Sequence, residues 1–123
     1  RELYERMNLD TLEAMNTGLS QSRVEASRIH VSRQLLDQYT GQYEREGGGF
    51  DVIIHRRGDR LYLHVVRNQF TSEMIPVASD HFVIAQSLSN EYRFPNAETD
   101  YDVMRYYDGK PIKYHRVGDA PQP

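Results

Sequence analysis

The side chains of this sequence that could do chemistry fall into a few loose groups defined by spacing. Tyr101, Arg105, Tyr114 and Arg116 flank the pair Asp108-Gly109, the residues that a two-residue hairpin of type I′ prefers. Pairing across that turn sets Val103 opposite Tyr114, Arg105 opposite Ile112 and Tyr101 opposite Arg116. Two arginines and two tyrosines then share one strand face with two aliphatic residues. An inward arginine beside tyrosine rings suits an anionic or aromatic ligand; the plainer alternative is a barrel end filled by arginine packed on Tyr43 or Tyr101. Tyr43, Tyr101, Arg105, Tyr114 and Arg116 are therefore the candidate ligand-binding residues.

Catalysis has thinner material. The same register makes Asp102 and His115 cross-strand partners, and with His81 they are the set from which an acid–base site could be assembled; such a pair is also common as an ordinary contact. No serine is followed three residues later by lysine and no G-x-S-x-G occurs, so the usual serine-nucleophile motifs are absent. No catalytic residue is assigned.

Metal and phosphate chemistry fare no better. His55 and His64 lie diagonally on a hairpin turned by Gly58-Asp59, with Asp51 on the same face. Structural metal sites gather about four ligands, so a solvated outer face is the expectation, and no metal or cofactor is assigned. Asp100-x-Asp102 lacks the glycine and glutamate of a calcium loop. Arg57-Gly58-Asp59 spells an adhesion tripeptide, yet turn chemistry accounts for it fully. Gly47-Gly48-Gly49 is followed by neither Lys-Ser/Thr nor a helix, which makes it a permissive turn.

The elements that must position these residues are strands. Phe50, Val52 and Ile54 alternate with polar residues, as do Leu61, Leu63 and Val65 after the Gly58-Asp59 turn. If Arg57 pairs with Arg60, Ile54 faces Leu63 and His55 faces Tyr62. Further strands run over 41–46, 70–75, 81–86, 89–94, 101–107 and 110–117, with Pro76 expected to end the fourth because it has no ladder donor. About eight antiparallel strands joined by short turns close most economically as an up-and-down barrel or half-barrel; a two-sheet sandwich is the competing arrangement. The chain is thus mainly β, preceded by a helical segment. Residues 1–34 read as a helical and extended lead-in, 35–117 as the β domain and 118–123 as a tail. In the lead-in, Leu3, Met7, Leu12, Met15 and Leu19 carry a narrow apolar stripe. Asp10 with Glu13 and Ser22 with Glu25 have capping-box spacing, giving one helix ending near Gly18 and a short second one from Ser22. Ser32 is placed to cap a further turn before Gly41 opens the first strand.

Composition sets the outer bounds. The 123 residues suit one domain with an appendage, and nine tyrosines and four phenylalanines supply burial that a mean hydropathy of -0.74 would otherwise understate. Fifteen basic and 18 acidic residues are interspersed, which leaves no electrostatic footprint for nucleic acid or anionic lipid. Without cysteine there is no disulfide or thiolate site. No apolar run approaches a membrane span. Starting at Arg1 rather than Met, the chain is expected to be a piece of something longer.

The order of these motifs resembles a known family. The entry L-x-x-Y-x-G-x-Y at Leu36, Tyr39, Gly41 and Tyr43, the Gly58-Asp59-Arg60-Leu61 hairpin, the run from Asn68-Gln69-Phe70 through Ile75-Pro76 to His81-Phe82, the strand ending at Phe94 and the Asp108-Gly109 hairpin are similar to the lipocalin-like domain of unknown function found C-terminal to β-lactamase-related, penicillin-binding-protein-like serine hydrolases. That resemblance implies an eight-stranded barrel acting as a noncatalytic accessory domain, partnered by a hydrolase domain of its parent chain or a sister subunit, in a periplasmic or secreted setting. A stand-alone small-ligand-binding barrel is the alternative. The chain departs from lipocalins proper in carrying Tyr43 where their G-x-W motif has tryptophan. On this reading Tyr43 is buried at the closed end with its ring against Arg116, and Tyr39 lies at a turn.

Overall fold

The computed structural model describes residues 22–121. Within them eight strands pair in chain order into one closed antiparallel barrel: β1 (Gly41–Arg45), β2 (Val52–Arg57), β3 (Arg60–Val65), β4 (Phe70–Ala78), β5 (His81–Ile84), β6 (Ser87–Arg93), β7 (Val103–Tyr107) and β8 (Lys110–Gly118). β8 pairs back onto β1. The ring therefore has no free strand edge, and the sandwich alternative falls away. Two short helices precede it, α1 over 22–26 and α2 over Arg33–Tyr39. The apolar stripe and helix end expected between Leu3 and Gly18 lie outside the described residues.

Local chemistry accounts for the turns. Asp108 and Gly109 both have positive φ, 51° and 80°, which is what a type I′ hairpin demands, and the expected register follows with Val103 opposite Tyr114 and Arg105 opposite Ile112. Gly58 alone is positive in the β2–β3 turn, where Arg57 faces Arg60, Ile54 faces Leu63 and His55 faces Tyr62. Ser32 caps α2 by accepting from the Leu35 amide at 3.2 Å. The helix ends where Thr40 turns extended.

Several strand limits differ from expectation, among them those at Pro76 and Tyr101. Pro76 does not end β4, which continues to Ala78. The proline sits at a register shift, where a ladder donor is dispensable, and its carbonyl accepts the Ile29 amide at 2.9 Å. β7 begins at Val103, so Tyr101 stands in the preceding loop, and Arg116 pairs with Tyr43 on β1.

Side-chain alternation builds the core. Val52 and Ile54 on β2, Leu61 and Leu63 on β3, and Val103 with Tyr114 across the last hairpin point inward and are essentially inaccessible. One barrel end is stoppered by α2. Leu36 is fully buried there, worth about 1.5 to 3 kcal/mol, and Tyr39 stacks on Phe94 with centroids 3.9 Å apart. Phe82 meets both rings edge-on at 5.6 and 5.8 Å. Tyr39 is thus the last residue of a packed helix and carries more of the plug than a turn residue would. α1 and the segment after it are tied to the wall by Arg28, which pairs with Glu25 at 2.7 Å and with Glu73 of β4 at 2.6 Å.

Candidate ligand cavity at the open end

The end opposite α2 is not stoppered. A cavity of about 850 Å³ enters the barrel between the β1–β2, β3–β4, β5–β6 and β7–β8 turns. Its charged side chains gather on one side. Val52, Leu63, Val65 and Phe70 from β2, β3 and β4, with Phe50 just ahead of β2, form an apolar side. Across the ring, β6, β7 and β8 bring Ser87, Asn90, Arg105 and Lys110, and β1 adds Arg45 next to β8. Tyr92 and Tyr114 lie deepest and are fully buried, with centroids 6.2 Å apart. The rim exposes Tyr107 and Val66, and Arg67 stacks over Phe50 at 5.2 Å.

Arg105 is the most constrained charge in this cavity. Its Nε donates to Asn90 Oδ1 at 2.9 Å, one terminal nitrogen reaches the Tyr114 hydroxyl at 3.4 Å, and the guanidinium lies 5.0 Å from the Tyr107 ring centroid. Burial raises the Tyr92 phenol above its ordinary range, Tyr114 adds to that and Arg105 works against it. The Tyr92 phenol is therefore held neutral beside one fixed cation.

The five residues singled out in the sequence divide between the two ends. Arg105 and Tyr114 line the cavity. Tyr43, Tyr101 and Arg116 border a shallow depression at the closed end together with Tyr39 and Asp102. Tyr43 is buried as expected, at 2 % exposure, but Arg116 does not lie over its ring. The ring meets Phe94 edge-on at 6.4 Å, its hydroxyl donates to the Tyr39 carbonyl at 2.8 Å, and the Arg116 guanidinium is close to that hydroxyl. Burial pushes the Tyr43 phenol up to about 12; Arg116 opposes this and Asp102 reinforces it.

The acid–base set is dispersed. His81 is 3.3 Å from Glu91, His115 is 3.3 Å from Glu46, and the Asp102 carboxylate accepts the Arg116 amide at 2.6 Å. His64 hydrogen-bonds Thr71 at 2.7 Å, while His55 stacks with Tyr62 at 5.8 Å. Burial holds the His55 imidazole below its ordinary value, helped by Arg57 and His64. Among the described residues no group of three or more histidine or acidic side chains is placed to hold a metal ion.

Arg45, Phe50, Phe70, Asn90 and Lys110 were not singled out by sequence reasoning. A signal existed for Arg45: it shares the inward parity of Tyr43 on β1, two residues earlier. Comparison of the chain with protein-family models, with curated proteins and with solved structures finds no match.

Proposed function

We propose that this barrel is a binding module for a small molecule with a substantial apolar part, held in the cavity at the open end. The observation that carries the reading is the cavity itself: at about 850 Å³ it falls within the roughly 300 to 1,000 Å³ of small-molecule sites. An eight-stranded barrel of this kind has room for one small ligand only when its interior is left partly unfilled. Here the large side chains, Leu36, Tyr39, Phe82 and Phe94, gather at the stoppered end and leave the other end free.

Calorimetric titration with decanol, a neutral apolar probe, tests this. Saturable binding is expected in the wild type, and Val65→Trp, which places an indole in the apolar wall, should weaken it at least tenfold. Tyr101→Ala at the closed end should leave it unchanged. Absence of binding, or equal binding by Val65→Trp, overturns the reading.

The role of accessory module to a serine hydrolase, in the same chain or a sister subunit, is a second proposal. Its support is the order and spacing of the motif residues Leu36, Tyr39, Gly41 and Tyr43, together with the eight-stranded barrel that follows them.

A further inference from the structure

We infer that the cavity selects an amphiphile carrying a single carboxylate, and that Arg105 receives that carboxylate while the apolar body lies against β2, β3 and β4; this rests on the binding reading above.

Charge distribution gives the first ground. The chain as a whole carries 18 acidic and 15 basic residues, yet the cavity lining holds Arg45, Arg105 and Lys110 and no aspartate or glutamate. Outside the cavity most described cations find a carboxylate, with Arg28, Arg33, Arg56, Arg60, Lys113 and Arg116 each within 3.1 Å of one, although Arg57 and Arg67 lie over aromatic rings instead. Among the described residues, none of the three lining cations has a carboxylate at ion-pair distance. A guanidinium on an apolar-walled cavity without its counter-charge is a site for an incoming anion.

The geometry of Arg105 narrows the class. Asn90 occupies Nε, so the side-on edge of the guanidinium is taken. The terminal nitrogens remain, one of them touching only the Tyr114 hydroxyl at 3.4 Å and the other without a partner among the described residues. That end of the fork presents two parallel N–H groups, which match the two oxygens of a planar carboxylate. Asn90 below and the Tyr107 ring at 5.0 Å hold the fork in place before any ligand arrives, so little rotamer freedom is lost on binding. Tyr114, fully buried, backs the fork from below through its hydroxyl. A head at Arg105 leaves the body of the molecule facing Val52, Leu63, Val65 and Phe70 across the barrel, with Pro111 and Ile112 of β8 adding apolar surface beside it.

Decanoate, decanol and decyl phosphate, titrated at pH 8 below their aggregation concentrations, separate the possibilities. The wild type is expected to bind decanoate at least tenfold more tightly than decanol and more tightly than decyl phosphate. Arg105→Leu should bring decanoate to within threefold of decanol while leaving decanol affinity unchanged, which also reports an intact cavity. Where Arg105→Leu does not fold, Arg105→Lys makes the same comparison: it keeps a charge without the fork, and its preference for decanoate should fall at least threefold. Equal binding of decanoate and decanol by the wild type overturns the inference and leaves the binding module standing. So does a preference that survives both substitutions. Tighter binding of decyl phosphate overturns the carboxylate assignment, and failure of all three probes overturns the binding module and this inference together.

Discussion

Tyr43 on β1 and Arg116 on β8 are cross-strand partners at the seam where the first strand meets the last. A register shift lies beside them, between Gln42 and Tyr43. Arg116 Nε also donates to the Thr40 carbonyl at 3.3 Å, and its terminal nitrogen pairs with Asp119 at 2.7 Å. The seam is thus where the chain leaving α2 is fastened to the chain leaving the barrel.

Gly41 is the tightest point of that seam. A Cβ there would lie 2.6 Å from Arg116 Nε and 3.0 Å from the Gly118 carbonyl oxygen. Gly41→Ala should therefore cost about 1 to 3 kcal/mol, as overpacking does. Gly118→Ala, where a Cβ meets nothing within 4 Å, should stay within about 0.5 kcal/mol of the parent. Urea unfolding of the two variants checks the contrast.

Tyr43 makes stability depend on alkaline pH. Its folded pKa, pushed up to about 12 from an ordinary 10.0, means that the fold favours the neutral phenol. That contribution is complete below pH 10 and is lost as pH rises from 10 toward 12. A shift of this size corresponds to about 2 to 3 kcal/mol. Tyr92, raised for the same reason, adds a loss in the same direction. Tyr43→Phe should show a shallower decline over this range, and should cost about 1 kcal/mol at neutral pH for the lost bond to the Tyr39 carbonyl. Tyr43→Ala should cost about 3 to 5 kcal/mol. Denaturant midpoints measured from pH 8 to 11.5 give both comparisons.

Arg28 fastens the lead-in to the barrel wall through Glu73, which also receives Arg60 at 3.1 Å. Arg28→Ala should raise amide exchange across 23–30, including the Ile29 amide bonded to Pro76, while lowering global stability by only about 1 kcal/mol. Unchanged exchange in that segment contradicts the role given to the ion pair.

The parts of this molecule that were legible in the sequence are those governed by short-range rules. Asp108-Gly109 dictates a turn and, through it, the pairing of Val103 with Tyr114 and Arg105 with Ile112. Period-two alternation dictates that Val52, Ile54, Leu61 and Leu63 face inward. Depth along the barrel was not legible. Ile112, Tyr114 and Arg116 share one face of β8, but each step of two residues advances about 6.8 Å, so Arg116 reaches the closed end while Ile112 remains at the cavity. Sharing a face thus grouped Arg105 and Tyr114 with Arg116, although two different barrel ends hold them. Pro76 was misread for a related reason: whether a proline ends a strand depends on the partner register, and here a shift on the β4–β5 ladder accommodates it. The polar side of the cavity needed the closed ring, because Asn90 and Arg105 come from different hairpins and meet only once β6 pairs with β7.

The most direct test of the binding module is a methyl-detected NMR titration with decanol. The account predicts concentration-dependent shifts for Val52, Leu63, Val65, Ile84 and Ile112, which line the open-end cavity, and stationary signals for Val31 and Leu36 in the stoppered end. Shifts confined to Val31 and Leu36, or no shifts at any of these methyls, would contradict it.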